Sequence, residues 1–191
     1  MPPGASLEGW GNLTSDTVAP RARDLSWRLA HDILPNAAKL YRIQLVPSPR
    51  CAFCAHEETT LHLFATCSVA SELWRRLDRL VGRAFGPNYV MSPTEVLQSR
   101  VPAALQRHGQ RSLFMALTTE LKDCLWKSRC SVVKEGAKCD AETIWQFFVA
   151  RIRGRCQLDF KRLARRRFVD IWCGADAALC QIIDDELIVR F

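Results

Sequence analysis

The chemistry this chain can do is concentrated in one short stretch, CAFCAHEETTLHLFATC, from Cys51 to Cys67. Cys51 and Cys54 form a C-x2-C pair, the spacing that lets two thiolates grip one metal from a tight turn. Seven residues then separate Cys54 from His62, and four separate His62 from Cys67. A helical turn over that interval can present His62 and Cys67 to the same point. Three thiolates and one imidazole make a closed tetrahedral set for Zn2+, with no position left for a reacting water. Thiolate-rich sites also favour zinc over hard cations. The expected cofactor is therefore one structural Zn2+, held by Cys51, Cys54, His62 and Cys67. A second imidazole, His56, follows Cys54 by only two residues and reads as a solvated loop histidine. A redox C-x-x-C is disfavoured, because two more ligand-type residues follow and no strand–helix unit surrounds the pair. The spacing also differs from that of the retroviral zinc knuckle, where the histidine comes much sooner.

Elsewhere the chemistry is electrostatic. The chain carries 27 Lys and Arg against 20 Asp and Glu, a formal charge of +7. That excess favours polyanionic partners, nucleic acid first. Its densest part is the run of Arg151, Arg153, Arg155, Lys161, Arg162, Arg165, Arg166 and Arg167, opposed within it only by Asp159. From this run we take Arg151, Arg155, Arg162, Arg165 and Arg166 as the candidate nucleic-acid-binding set. A solvated face on a helix whose other face is core is the plainer alternative. Trp27, Tyr41 and Phe53 could stack on bases near the cysteine turn, but read more readily as core. The acidic pair Asp184-Asp185 lacks the aromatic and the surrounding chain of a polymerase metal turn, and reads as a hairpin turn. The other six cysteines lack paired short spacing and read as buried small apolar residues. No glycine-rich phosphate loop is present. We assign no catalytic residue.

These groups need helices to position them. Residues 1–22, rich in Gly, Pro, Ser and Thr, read as a flexible leader. A helix is expected from about Ala22 to Leu34, stopped by Pro35. A second follows an Asn36 cap through about Ile43. After Cys67 the stripe Val69, Leu73, Trp74, Leu77, Leu80, Val81 and Phe85 predicts an amphipathic helix, ended by Gly86-Pro87-Asn88. A short helix is expected over roughly Pro93 to Ser99. A long one should run from about Arg111 to Val133, burying Leu113, Leu117, Leu121, Cys124 and Leu125 and ending at Gly136. A final long helix is expected over about Ala141 to Trp172, with Gly154 as a site for a kink. Alternation around Asp184-Asp185 predicts a C-terminal β-hairpin.

The stretch WRLAHDILPNAAKLYRI, the cysteine cluster and the following SELW together resemble the zinc-binding region of non-LTR (LINE-type) retrotransposon reverse transcriptases. The matching positions are Trp27, Arg28, Leu29, His31, Leu34, Pro35, Cys51, Cys54, Glu58, Thr59, His62, Cys67 and Trp74. The resemblance implies that this region follows a polymerase and is an appendage that binds nucleic acid. It does not reach residues 90–191.

The sequence thus reads as mainly α: a helical domain with a small Cys-Cys-His-Cys zinc module and a C-terminal β-hairpin. Its parts are a leader (1–22), the zinc-binding module (23–88) and a helical region carrying the basic helix (89–191). The expected function is non-catalytic, zinc-dependent binding of nucleic acid, RNA or DNA. One alternative is a zinc-stabilised protein-interaction module, with a reverse transcriptase polymerase domain as partner. Another is a fragment of an RNA-directed DNA polymerase polyprotein that lacks the catalytic domain. Nothing near the amino terminus resembles an export signal and no window suits a membrane span. An intracellular location and reduced thiols are expected.

Overall fold

A computed structural model describes residues 18–85, 92–103, 105, 107–174 and 179–190. The chain is mainly α-helical, with a two-stranded sheet at the carboxyl end. The leader expected over 1–22 lies outside the described residues as far as residue 17, and so does the Gly86-Pro87-Asn88 turn.

Helix α1 (Pro20–Ala30) starts on Pro20 at its first position, where a missing N–H costs nothing. The helix begins earlier and ends earlier than the sequence suggests. Pro35 does not stop it. Asp32 does, by taking the left-handed conformation (φ 49°). The Asp32 and Ile33 amides donate back to the Leu29 and Arg28 carbonyls, closing a Schellman motif. Helix α2 (Ala37–Arg42) is capped by Asn36, whose side chain accepts from the Lys39 amide. It closes in the same way, with Gln44 left-handed at φ 59° and Leu45 donating to Leu40.

Helix α3 (Ser68–Phe85) buries Leu73, Trp74, Leu77 and Val81, the stripe its sequence displays. Helix α4 (Pro93–Gln98) opens with a full capping box, Ser92 and Glu95 satisfying each other's amides. Helix α5 (His108–Glu135) ends at Gly136 (φ 65°), as expected. Its burial is not one-sided: from Ser112 to Leu125 every residue is buried. α1, α3, α6 and the segment after α6 all pack around it. Its polar residues inside that run need partners, and find them. Thr118 and Thr119 donate to carbonyls one turn back, and Lys122 donates to Ser99.

Helix α6 (Ala141–Arg162) is capped by Asp140, and Gly154 lies within it without interrupting it. The single final helix expected to reach Trp172 is instead broken. Leu163 and Ala164 are extended (ψ 148° and 139°) before α7 (Arg165–Phe168) and a π-helical turn (Val169–Cys173) resume the coil. The break turns Phe168, Ile171 and Trp172 back onto the core, and Phe168 meets Phe160 edge-on at 5.1 Å. Trp172 is fastened by its indole N–H to the Asp159 carboxylate (3.1 Å). No Pro or Gly marks this break. Strands β1 (Cys180–Ile183) and β2 (Glu186–Val189) then pair antiparallel around Asp184-Asp185. Both turn residues have positive φ, 49° and 63°, the geometry of a type I′ hairpin turn. Among the described residues no helix is long and apolar enough to cross a membrane.

Candidate metal centre

The four ligand-type residues come from three local structures. The first is the turn after Pro47 and Pro49. Arg50 and Glu57 bridge antiparallel, the Cys51 amide donates to the His56 carbonyl (2.6 Å), and the Ala55 amide returns to the Cys51 carbonyl (3.1 Å). Ala55, left-handed at φ 62°, tightens this loop just past Cys54. The turn thereby points both thiols the same way. The Cys51 sulfur also accepts from the Phe53 amide (3.4 Å).

The second is a π-helical turn, His62–Thr66, in which the Cys67 amide donates to the His62 carbonyl (2.7 Å). Five residues along an ordinary α-helix lie about 140° apart around its axis. The widened turn brings positions five apart closer to register, and so brings His62 and Cys67 together. The third is the amino end of α3, where Cys67 precedes the first helical residue and accepts the Ser71 amide on its carbonyl (2.8 Å).

The resulting cluster is tight. One donor atom from each of Cys51, Cys54, His62 and Cys67 lies within 4.8 Å of all the others. Cys51 and Cys67 sulfurs are 4.0 Å apart, Cys54 and Cys67 sulfurs 3.6 Å, and His62 Nε2 is 3.0 Å from the Cys54 sulfur. Tetrahedral zinc with bonds of about 2.3 Å would space its sulfurs roughly 3.8 Å apart. The donor set and its spacing therefore fit Zn2+ at Cys51, Cys54, His62 and Cys67. Cys51 and Cys67 are buried, while Cys54 and His62 are partly open. The Cys67 thiol is lowered to about 5, chiefly by the hydrogen bond from Cys51 and further by the Val69 and Ala70 amides of α3. Cys51, its proton held against Cys67 in a buried setting, is raised. A low thiol at a helix amino end is a ready metal ligand. His56 stays outside the cluster, exposed, with its ring on the Cys54 carbonyl.

Glu58 binds this loop to the rest of the fold, a role the spacing of the ligands did not reveal. Its side chain is wholly buried and takes the Arg129 guanidinium of α5 at 2.7 Å. It also accepts the Ala37 amide of α2 (2.7 Å) and the Ala52 amide of the cysteine turn (3.4 Å). Glu58 thus joins the ligand loop, the amino end of α2 and the central helix. Trp74 clamps the π-turn from the other side, donating to the Phe64 carbonyl at 2.7 Å. Asn36 bonds Thr60 as well as capping α2. Glu58 was visible in the sequence as an acid beside the ligands; Arg129, 71 positions away, carried no local signal.

The basic run is divided by the structure. Arg151 is mostly buried and faces the α5 acids Glu120 and Asp123. Arg155 pairs along its own helix with Asp159 (3.2 Å). Arg162, Arg165 and Arg166 are exposed, and Arg165 meets Asp185 of the hairpin turn at 2.5 Å. Among the aromatic residues, Trp27 and Tyr41 are not core: they are 41% and 49% exposed.

Residues 6–74 match the protein family described as zinc-binding in reverse transcriptase. The chain is also similar to the "Transposon TX1 uncharacterized 149 kDa protein" of Xenopus laevis, 26% identical over 182 residues. That alignment takes in 95% of this chain but 14% of the relative, so the chain spans about one seventh of the relative's length. No solved structure matches. The motif, the four converging donors and the family match agree on one region: residues 6–74 are similar to the zinc-binding region of reverse transcriptases, and the donor set for a zinc ion lies within them.

Proposed function

We propose that this chain is a non-catalytic module of a retrotransposon reverse transcriptase tail, folded around one Zn2+ and binding RNA or DNA. The observation that carries the zinc part is the convergence of four protein donors within 4.8 Å. Such a set fills a tetrahedral ion and leaves no place for an activated water, which separates a structural zinc from a catalytic one.

Nucleic-acid binding is supported by the charge of +7 and by Arg162, Arg165 and Arg166, which face solvent. Arg151 and Arg155 are largely covered as well as paired with carboxylates of the same chain, so they contribute less; Arg165, though paired with Asp185, keeps 59% of its side chain exposed. Contacts of this kind grip phosphates and carry little base information, so binding should tolerate sequence. The test is a titration of the protein against RNA and DNA at several salt concentrations. Replacing Arg162, Arg165 and Arg166 with Gln should flatten the dependence of log affinity on log salt by about two to three units. An unchanged slope would contradict the assignment.

A specific observation favours a second reading, docking onto a protein such as a polymerase domain. Ile33, Ile43, Leu45 and Leu61 are 48–69% exposed within or beside the zinc-binding region. Salt-insensitive association with a polymerase domain, lost on Ile43→Asp, would establish it.

A further inference from the structure

A cleft of about 730 Å3 opens at the far end of α5 from Gly136, between the amino end of that helix and the α7 segment. Arg107 and Gln110 line it from α5, and Arg166 and Arg167 from α7, over an apolar floor that includes Leu113 and Ile171. Asp170 is an acid in its wall, set against the three arginines. The two sides are held in register by Gly109. A Cβ there would lie 2.0 Å from the Asp170 carbonyl oxygen, so only glycine lets α5 touch the π-helical turn this closely. Arg107 occupies the cap position of α5 without supplying a side-chain cap. The Asp170 side chain lies beside the amino end of this 28-residue helix, its Cγ 2.7 Å from the position of the same Cβ, so the cleft's own cations are its arginines.

We propose that this cleft holds a phosphate–sugar unit of a single-stranded nucleic acid, gripped by Arg107 on one side and Arg166 on the other. Guanidinium forks match phosphate oxygens, and a concave, partly apolar site suits a strand's backbone and sugar better than the convex surface of a duplex. Arg162, exposed at the end of α6, adds a further cation near the cleft, and Arg165 adds one that is shared with Asp185, as a linear polyanion requires and a compact acidic ligand does not. The proposal rests on the reading of the module as nucleic-acid-binding, which it sharpens by adding Arg107 and by specifying single strands.

The experiment is fluorescence anisotropy of the zinc-loaded full chain with labelled single-stranded RNA and DNA across salt. The variant is Arg107→Gln/Arg166→Gln, at two exposed positions. The control is Lys134→Gln/Lys138→Gln, which removes equal charge near the opposite end of α5. Loss of two single-strand phosphate contacts should lower affinity about tenfold at physiological salt and flatten the salt slope by about 1.4. The control should change far less. Equal losses in the two variants, or no loss in the first while the wild-type protein binds, would overturn the cleft but not nucleic-acid binding. In the second case an acidic protein segment becomes the better occupant. Equal competition by duplex, or by a nucleoside monophosphate at matched phosphate concentration, would also overturn it. No binding by the wild-type protein would overturn the wider reading and the cleft with it.

Discussion

Glu58 shows how a single side chain can decide whether a metal loop has a fixed place in its fold. The carboxylate is wholly buried, its Oε1 takes two guanidinium N–H groups of Arg129, and its other bonds hold backbone amides on two separate segments. Breaking such a pair strands a buried charge, which costs about 3–5 kcal/mol. Glu58→Gln should therefore lower unfolding stability in urea by that order even with zinc bound. Glu58→Gln/Arg129→Met should recover part of the loss, because both charges leave together. A single variant as stable as wild type would show that the pair contributes nothing. The ligands themselves were legible in the sequence because their spacing is short and chemically distinctive. The Glu58–Arg129 pair was not, because it is made by tertiary packing between residues 71 positions apart.

Among the elements, helix ends governed by local chemistry were the easiest to read. Asn36 caps α2, Gly136 ends α5, α4 and α6 begin at Pro93 and Ala141, and Asp184-Asp185 form the hairpin turn, all as the sequence suggests; the caps Ser92 and Asp140 went unnamed there. Less legible were ends that local rules disfavour. α2 stops on Gln44 in the left-handed region, where a side chain costs about 1–2 kcal/mol. Gln44→Gly should relieve that strain and stabilise the protein by up to about 1 kcal/mol, measured by thermal or urea unfolding. A loss of stability would mean that the Gln44 side chain makes a contact outweighing the strain. The break at Leu163-Ala164 was invisible for a related reason. Both residues tolerate helix, and what opens the chain is the burial of Phe168 against Phe160 and of Ile171 and Trp172 in the turn that packs on α5. Tertiary packing overrides helix propensity there.

Over the whole molecule, one helix carries the fold. α5 is enclosed by its neighbours, so the one-sided stripe of Leu113, Leu117, Leu121 and Cys124 described only part of its burial. Enclosure has a consequence for Lys122, which is fully buried with its ammonium on Ser99. Burial lowers it from 10.5 to about 7, so above that pH the folded chain releases a proton that the unfolded chain keeps. Stability should rise between about pH 7 and about 8.5, where the unfolded chain's cysteines begin to ionise and oppose it. Lys122→Met should remove that rise; an identical pH profile would place the ammonium in water. The ligand loop reaches α5 through Glu58 and Arg129, which ties the metal centre into this architecture. X-ray absorption at the zinc edge, on protein purified without chelator, tests that claim most directly. It should show one zinc per chain with three sulfurs at about 2.3 Å and one nitrogen at about 2.0–2.1 Å, and the sulfur count should fall to two in Cys54→Ser. Protein that folds without zinc, or a shell dominated by oxygen and nitrogen, would contradict it.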